Sequence, residues 1–226
     1  RPISLLSPIA KCLEKILLPT LLNSLPEINH QHGFKKLHST TTALHTITNH
    51  IAKGFNEKQP PSRTVLVSLD MSKAFDTVNI PKLLKKLLQT DTPPSLIKFL
   101  SNYVIGRKAF ITYNNTTSKQ QILKTGVPQG GVLSPILFNL YTSDIPNPPN
   151  DVHLTSYADD LNPYCSHKNI QEAEKLIQPY LNKIFDWTQE NELLLNPSKS
   201  SATLFSPDPK EFSTKLNLTI NNTLIP

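Results

Sequence analysis

Cysteine is almost missing from this chain: Cys12 and Cys165 stand alone. Two thiols cannot build a disulfide framework, so a reducing compartment is expected. No apolar run approaches the length needed to span a bilayer, and no signal-peptide pattern opens the sequence. Methionine occurs once, as Met71, inside a strand-like segment. With Arg1-Pro2 at the start, the expectation is an excised or partial product without its natural beginning, whose targeting is not legible. Acidic residues are outnumbered, 17 against 23 Lys and Arg. The resulting net charge of +6 and pI near 9.2 call for a polyanionic partner or serve solubility. Apolar content is a modest 38% and proline reaches 20 residues, which suggests long connections or a core that lacks a part. No internal repeat or low-complexity tract is present. The 226 residues suffice for one large domain or two small lobes.

The periodic segments come next. Ile9, Cys12, Leu13, Ile16, Leu17 and Leu21 have helical spacing, and Pro19 predicts a stop near Leu18 with a short turn beyond it. A loop over 26–40 ends in hydroxyl residues suited to cap a helix over 40–56, with Ala43, Leu44, Ile47, Ile51 and Phe55 on its apolar face. Residues 64–69 form the clearest strand, continuous enough in apolar residues to be covered on both faces. Pro81 and Pro93-Pro94 each open a helix. Residues 109–113 and 119–123 flank Asn114-Asn115-Thr116-Thr117 as a hairpin. Three of the six glycines fall in 126–131, ahead of a helix over about 132–143. A long amphipathic helix over about 169–190 carries Pro179 as a potential kink and Trp187 as a packing residue. A short strand at 202–205 follows, and 216–220 reads as the first arm of a hairpin cut off at Pro226. Strands interleaved with helices predict an α/β (α+β) fold, with the helices on one face of the sheet. The more helical start suggests two subdomains.

Against the basic background, the strand-like segments end in acids: Asp70 after one strand, Asp159 and Asp160 after another. An Asp-Asp turn alone is a weak signal, because Asp is a common turn residue. If the three carboxylates converge, charges about 4 Å apart repel by roughly 4 kcal/mol at an effective dielectric near 20. Cations among the oxygens would relieve this. Hard ions such as Mg²⁺ prefer such oxygens and leave positions open for phosphate. The corresponding chemistry is phosphoryl transfer clamped by two metal ions.

The segments Val67-Ser-Leu-Asp70-Met-Ser-Lys-Ala-Phe75-Asp76, Gly126-Val-Pro-Gln-Gly-Gly-Val-Leu-Ser-Pro135, Tyr157-Ala-Asp-Asp160 and Leu195-Asn-Pro-Ser-Lys199 resemble, in order, palm motifs A to D of reverse transcriptases. Arg1-Pro-Ile-Ser-Leu-Leu6 and His32-Gly-Phe-Lys-Lys-Leu-His-Ser-Thr40 resemble finger motifs of the non-LTR (LINE-type) retrotransposon polymerases. The similarity covers essentially the whole chain, and four ordered motifs are far more specific than any one.

The resemblance implies a right-hand polymerase with partial fingers (1–62) and a palm (63–226) whose antiparallel sheet is backed by helices, the thumb being absent. It implies an RNA-directed DNA polymerase that extends a DNA primer with deoxynucleoside triphosphates on an RNA template. The chain alone is then expected to be weakly active or inactive, with endonuclease and thumb regions in a parent polyprotein. Asp70 and Asp159 are the implied ligands of two Mg²⁺ ions, with Mn²⁺ as an alternate. Asp160 is a further ligand or an outer carboxylate, and the Met71 carbonyl is another potential contact. Phe75 matches the gate against a 2′-hydroxyl. Pro128, Gln129, Gly130 and Gly131 match the nucleotide-site loop, and Lys199 the general acid for pyrophosphate. Lys35 and Lys36 stand where relatives often carry arginine, and an ammonium lacks the bidentate fork. Arg1 is a further triphosphate candidate.

Read without the resemblance, Phe75 is a core aromatic, 126–131 a loop that caps the next helix, and Lys199 a solvated lysine. The histidines at 30, 32, 38, 45 and 50 lack the cysteine partners and spacing of a structural zinc site. Lys82, Lys85, Lys86, Lys98, Arg107 and Lys108 are candidates for phosphate contact. The family places the work inside the cell, in nucleus, cytoplasm or both. Rival readings are a group II intron or retron polymerase and an inactive remnant that only binds nucleic acid.

Overall fold

The computed structural model describes residues 3–226. In chain order the elements are α1 (Pro8–Ser24), α2 (Thr40–Phe55), β1 (Arg63–Ser68), β2 (Met71–Ser72), α3 (Ala74–Thr77), α4 (Ile80–Leu87) and α5 (Pro94–Val104). Short strands β3 (Lys108–Ala109), β4 (Thr112–Tyr113), β5 (Thr116–Thr117) and β6 (Gln121–Ile122) follow, then α6 (Ser134–Tyr141). The remainder is β7 (Val152–Tyr157), β8 (Asp160–His167), α7 (Ile170–Glu190), β9 (Leu194–Leu195), β10 (Ser201–Phe205), a 3₁₀ turn at Pro209–Glu211, β11 (Thr219–Ile220) and β12 (Thr223–Leu224). The chain divides into two compact units that interleave in sequence: Arg1–Glu27 with Lys73–Ser143, and Ile28–Ser72 with Asp144–Pro226.

The second unit is built on one four-stranded antiparallel sheet, ordered β10-β1-β8-β7. Side chains alternate along a strand, and β1 uses both faces. Val65 and Val67 are fully buried, and Val65 stands opposite Cys165, whose thiol contacts the Ala173 carbonyl of α7. Leu66, opposite Tyr164, packs instead with Ile47, Ile51 and Phe55 of α2. Helices therefore cover both faces, where a one-sided arrangement was expected. The unbroken apolar character of β1 is the cause, since an alternating strand would leave one side to water. Helix α7 buries Ala173, Ile177, Tyr180, Leu181, Ile184 and Trp187, and the Trp187 indole donates to Asp144 at 3.0 Å. Burial pushes the Cys165 thiol up to about 12, which leaves it a packing group.

In the first unit, α1 begins where Ser7 accepts from the Ala10 N–H at 3.1 Å, with Pro8 at the first position. The helix runs through Pro19 to Ser24 rather than stopping near Leu18. Pro19 faces solvent, so water can serve the carbonyl it orphans, while continuation buries Leu21 completely. Pro179 is tolerated inside α7 in the same way, on an exposed position. The hairpin loop at 114–117 is shorter than expected. Asn114 and Asn115 take positive φ as a two-residue turn, and Thr116–Thr117 already forms β5. The same chemistry recurs in the second unit at Asn221-Asn222, which closes β11 onto β12. That hairpin has both arms and is not cut off.

Helix α6 starts at Ser134, two residues later than expected, and has no cap of its own. The capping position holds Leu133, which is fully buried. Glu14 of α1 supplies the missing acceptor: its Oε2 takes the N–H groups of Val132 and Leu133 at 2.6 and 3.0 Å. The carboxylate is 1% exposed, and its charge lies where a helix macrodipole favours an anion. Burial and this carboxylate hold the neighbouring Tyr103 phenol up to about 12, against a lowering contact with Ser134.

Two consequences are measurable. Glu14→Ala strands one buried and one half-buried N–H group and should cost about 3 kcal/mol of stability, read as a lower urea midpoint, while Glu14→Gln should retain part of it. The second concerns acid. His50 bonds Ser166 at 2.8 Å and stands edge-on to Tyr164 and His153. Burial, followed by repulsion from His153 and Lys53, lowers its pKa despite Glu57. A depressed histidine stabilises the fold in its neutral form, so the gain is present above about pH 6.5 and fades as pH falls through the folded pKa. The urea midpoint should drop between pH ~7 and ~5, and His50→Gln should flatten that slope.

Candidate functional site

The second unit brings the expected carboxylates to one end of its sheet. Strand β1 pairs with β8 through Leu66 opposite Tyr164, and the pairing continues to Leu69 opposite Leu161. The Leu69 N–H donates to the Leu161 carbonyl at 2.8 Å. Carried one residue further, this register sets Asp70 opposite Asp160. Asp70 and Ser68 share one side of the strand, as do Asp160 and Asn162, and the Ser68 hydroxyl donates to Asn162 at 2.8 Å. Asp70 and Asp159 are half-buried, and Asp160 is exposed.

Asp159 lies on the two-residue turn between β7 and β8, which Tyr157 and Asp160 close. The first turn residue, Ala158, is buried and has φ +55°. Glycine normally fills such a position, because a side chain in left-handed backbone costs on the order of 1 kcal/mol. Its neighbours explain how alanine is held. The loop ahead of α2 docks on β7, with Gln31 bridged to Ser156. The His32 N–H donates to the Ser156 carbonyl at 2.9 Å, and the Ser156 N–H to that of His30 at 2.8 Å. The buried amide of Gln31 then grips Ala158 at both backbone groups: Nε2 donates to its carbonyl at 3.1 Å, and Oε1 accepts its N–H at 2.9 Å. A Cβ on Gly33 would lie 2.4 Å from the Ala158 nitrogen, so only glycine permits this approach. Gln31 escaped the sequence reading. The one signal was Gly33, standing outside the glycine-rich loop.

Asp70 is anchored through its main chain. Its N–H donates to Ser200 Oγ at 3.2 Å, and its carbonyl accepts from the Asn196 N–H at 2.9 Å. Lys199 lies between these two anchors, exposed on the turn after β9. Met71 pairs with Leu195 and buries its side chain. Lys35 is half-buried, its ammonium 3.4 Å from the Ile28 carbonyl. Lys36 is exposed, and its carbonyl meets His38. His30 and His32, in the same loop, are both held below their usual pKa, by burial first and then by neighbouring His and Lys charges. Arg1 lies outside the described residues, as does the start of its motif.

The first unit holds the other expected residues. Phe75 is half-buried and stacks on Phe138, with centroids 4.5 Å apart. The loop 126–131 is fastened along its length. The Gly126 N–H donates to Val78 and the Val127 N–H to Phe75, at 2.7 and 2.8 Å. Gly126 has φ +82°, and a Cβ there would lie 2.7 Å from the Asp76 carbonyl oxygen. Pro128 is buried and Gly130 exposed. The Gln129 side-chain amide donates to Asp76 Oδ1 at 3.1 Å, and the Gln129 main-chain carbonyl accepts from the Ser4 N–H at 2.7 Å. The sequence assigns Asp76 no role of its own; its place directly after Phe75 is the only signal.

Two cationic candidates for phosphate contact turn out to be internal struts. Arg107 donates to the carbonyls of Val104, Thr125 and Gly126, and burial lowers its pKa. Lys86 donates to the Tyr141 carbonyl and sits 4.8 Å above that ring. Lys85, Lys98 and Lys108 are exposed.

Among the described residues, no three His, Cys, Asp or Glu side chains gather closely enough to hold an ion by themselves. A ready-made cage of three carboxylates is therefore not what the sheet builds. The hard oxygen donors at its end still fit Mg²⁺, which is usually held by one or two carboxylates and completes its shell with water and substrate phosphate. The histidines meet as ring contacts, His32 with His38 and His50 with His153. No helix among the described residues is long and apolar enough to cross a membrane.

The family model described as reverse transcriptase (RNA-dependent DNA polymerase) matches residues 1–218, and its members generally use divalent metal ions. The probable RNA-directed DNA polymerase from transposon BS of Drosophila melanogaster is 32% identical over 91% of this chain and 24% of that protein. The RNA-directed DNA polymerase from mobile element jockey of Drosophila funebris is 29% identical over all of this chain and 25% of that protein. The chain thus spans about a quarter of these relatives' length. A telomerase of Candida Tropicalis, in complex with a TWJ fragment of telomeric RNA, is similar in structure with a TM-score of 0.61. It covers 88% of this chain and 33% of that one at 13% identity, a likeness of fold alone, that of the right-hand polymerases. The resemblance to non-LTR retrotransposon polymerases drawn from the motifs is borne out, and the chain belongs to the reverse transcriptase family.

Proposed function

We propose that this chain is the polymerising segment of an RNA-directed DNA polymerase from a non-LTR retroelement. The observation that carries the reading is the pairing of Leu69 with Leu161, which brings Asp70 and Asp160 to one end of the sheet beside the Asp159 turn. The relatives matched over nine-tenths of the chain or more come from mobile elements, which favours this origin over a group II intron. The labels fingers (1–62) and palm (63–226) are then functional and distinct from the two compact units. The template is RNA, the primer DNA, and the work takes place inside the cell.

Asp70 and Asp159 are the carboxylates that would hold two Mg²⁺ ions, or Mn²⁺ in their place, with Asp160 as a third ligand or an outer charge. When bound, the metal supplies charge neutralisation at the phosphate and a more acidic primer hydroxyl. The rest falls to the chain's own groups. The rigid ring of Phe75, braced on Phe138, excludes a sugar 2′-hydroxyl by bulk, so deoxynucleotides are selected. Pro128, Gln129 and Gly130 line the nucleotide site, where glycine lets the backbone come close to a base pair. Lys199, held on a turn fastened to Asp70, gives a proton to the leaving pyrophosphate. Lys36 meets the triphosphate as a point charge, and Lys35 supports it from the same loop.

The test is single-turnover primer extension on an RNA template, with this chain in excess and Mg²⁺ or Mn²⁺ present. Addition of at least one deoxynucleotide is expected, with Asp159→Asn slower by on the order of a thousandfold. Phe75→Ala should admit ribonucleotides. Extension that survives the loss of Asp159, or a full-length parent protein that adds nothing with either metal, would overturn the reading.

A further inference from the structure

We infer that Gln31 is a positioning residue for the Asp159-Asp160 turn, an inference that rests on the polymerase reading of that turn. Its side chain is 3% exposed and makes three bonds to main-chain groups. Nε2 donates to the Ala158 carbonyl at 3.1 Å, while Oε1 accepts from the Ala158 and Gly33 N–H groups at 2.9 and 2.7 Å. Holding both backbone groups of one residue takes a donor and an acceptor on the same planar group, which only an amide side chain offers. Asparagine is one methylene shorter. Glutamate keeps the acceptors and loses the donor.

The geometry explains why such a grip is placed here. Ala158 has φ +55°, a conformation that alanine keeps only where its surroundings impose it. The peptide after Ala158 leads directly into Asp159. If Ala158 relaxes toward negative φ, that peptide swings and both carboxylates leave the line set by Asp70. The other bonds between loop and strand, at Ser156, fix β7 and do not reach the turn. Gln31 thus couples the docked loop to the backbone from which the carboxylates project. Gly33 makes the coupling sterically possible, since any side chain there would strike Ala158. Groups that orient metal ligands from behind commonly tune affinity without touching the ion.

The experiment is a Mn²⁺ titration of the chain by electron paramagnetic resonance, without nucleotide, paired with urea unfolding. Gln31→Met keeps the side-chain length and removes both bonding partners. It should raise the Mn²⁺ concentration at half-saturation about tenfold. Ile47→Ala, a cavity in α2 remote from the turn, should lower the urea midpoint and leave Mn²⁺ binding unchanged. Ala158→Gly relieves the strain, so the effect of Gln31→Met should shrink by at least about threefold in that background. A Gln31→Met chain that loses stability like Ile47→Ala yet binds Mn²⁺ as the wild type does would overturn the inference. If wild-type uptake is itself insensitive to Asp70→Asn, the polymerase reading fails instead. Amide exchange at Ala158 then decides the grip: acceleration in Gln31→Met upholds it, and no change overturns it.

Discussion

The antiparallel pairing of β1 with β8 is the constraint on which the carboxylate site depends. It joins residues about a hundred positions apart and carries Leu69 onto Leu161. Side chains alternate strictly along a strand, so a slip of one residue would turn Asp70 to the opposite face. It would also push Val65 and Val67 off their buried side. The apolar residues therefore guarantee the position of the acidic ones. Burial of two valines and a cysteine on one face, and of Leu66 against α2 on the other, leaves one register open, and that register brings Asp70 and Asp160 to the same end of the sheet.

Much of this was legible because it is periodic or local. The strand at 64–69, the capping hydroxyls before α2 and the long face of α7 each follow from spacing. The motifs placed Asp70, Phe75, Gln129 and Asp159 by their resemblance to a family. Features set by distant partners were hidden. Leu21 keeps the helical spacing beyond Pro19, yet spacing alone does not say that its burial outweighs a lost helix bond. Glu14 looks like a surface residue of an amphipathic helix until α6 is found to lack its own cap. Gln31 sits in a loop whose purpose appears only when Ala158 is seen held from the far side of the chain.

The basic charge of the sequence divides into two kinds. Exposed lysines such as Lys85, Lys98 and Lys108 are free to meet a polyanion, and they belong to the electrostatic background that draws phosphate to a surface. Arg107 and Lys86 spend their donors on main-chain carbonyls of their own unit. Net charge therefore overstates the cationic surface that the chain offers to a polyanion. The buried anion at Glu14 shows the converse: an acidic side chain far from the carboxylate turn, used as a structural acceptor.

The interleaved order of the two units has a kinetic consequence. β1 is central in its sheet, yet both partners are encoded late, β8 from Asp160 and β10 from Ser201. During synthesis, β1 emerges with no strand to pair with until most of the chain has been made, which takes on the order of ten seconds at common elongation rates. Its unpaired edges and apolar stretch are exposed for that interval, the condition under which strands find wrong partners. Helix α2, encoded just before β1 and packed on its Leu66 face, is the available local cover. The nascent chain thus carries a provisional shield on one side of this central strand, while the other side waits for α7.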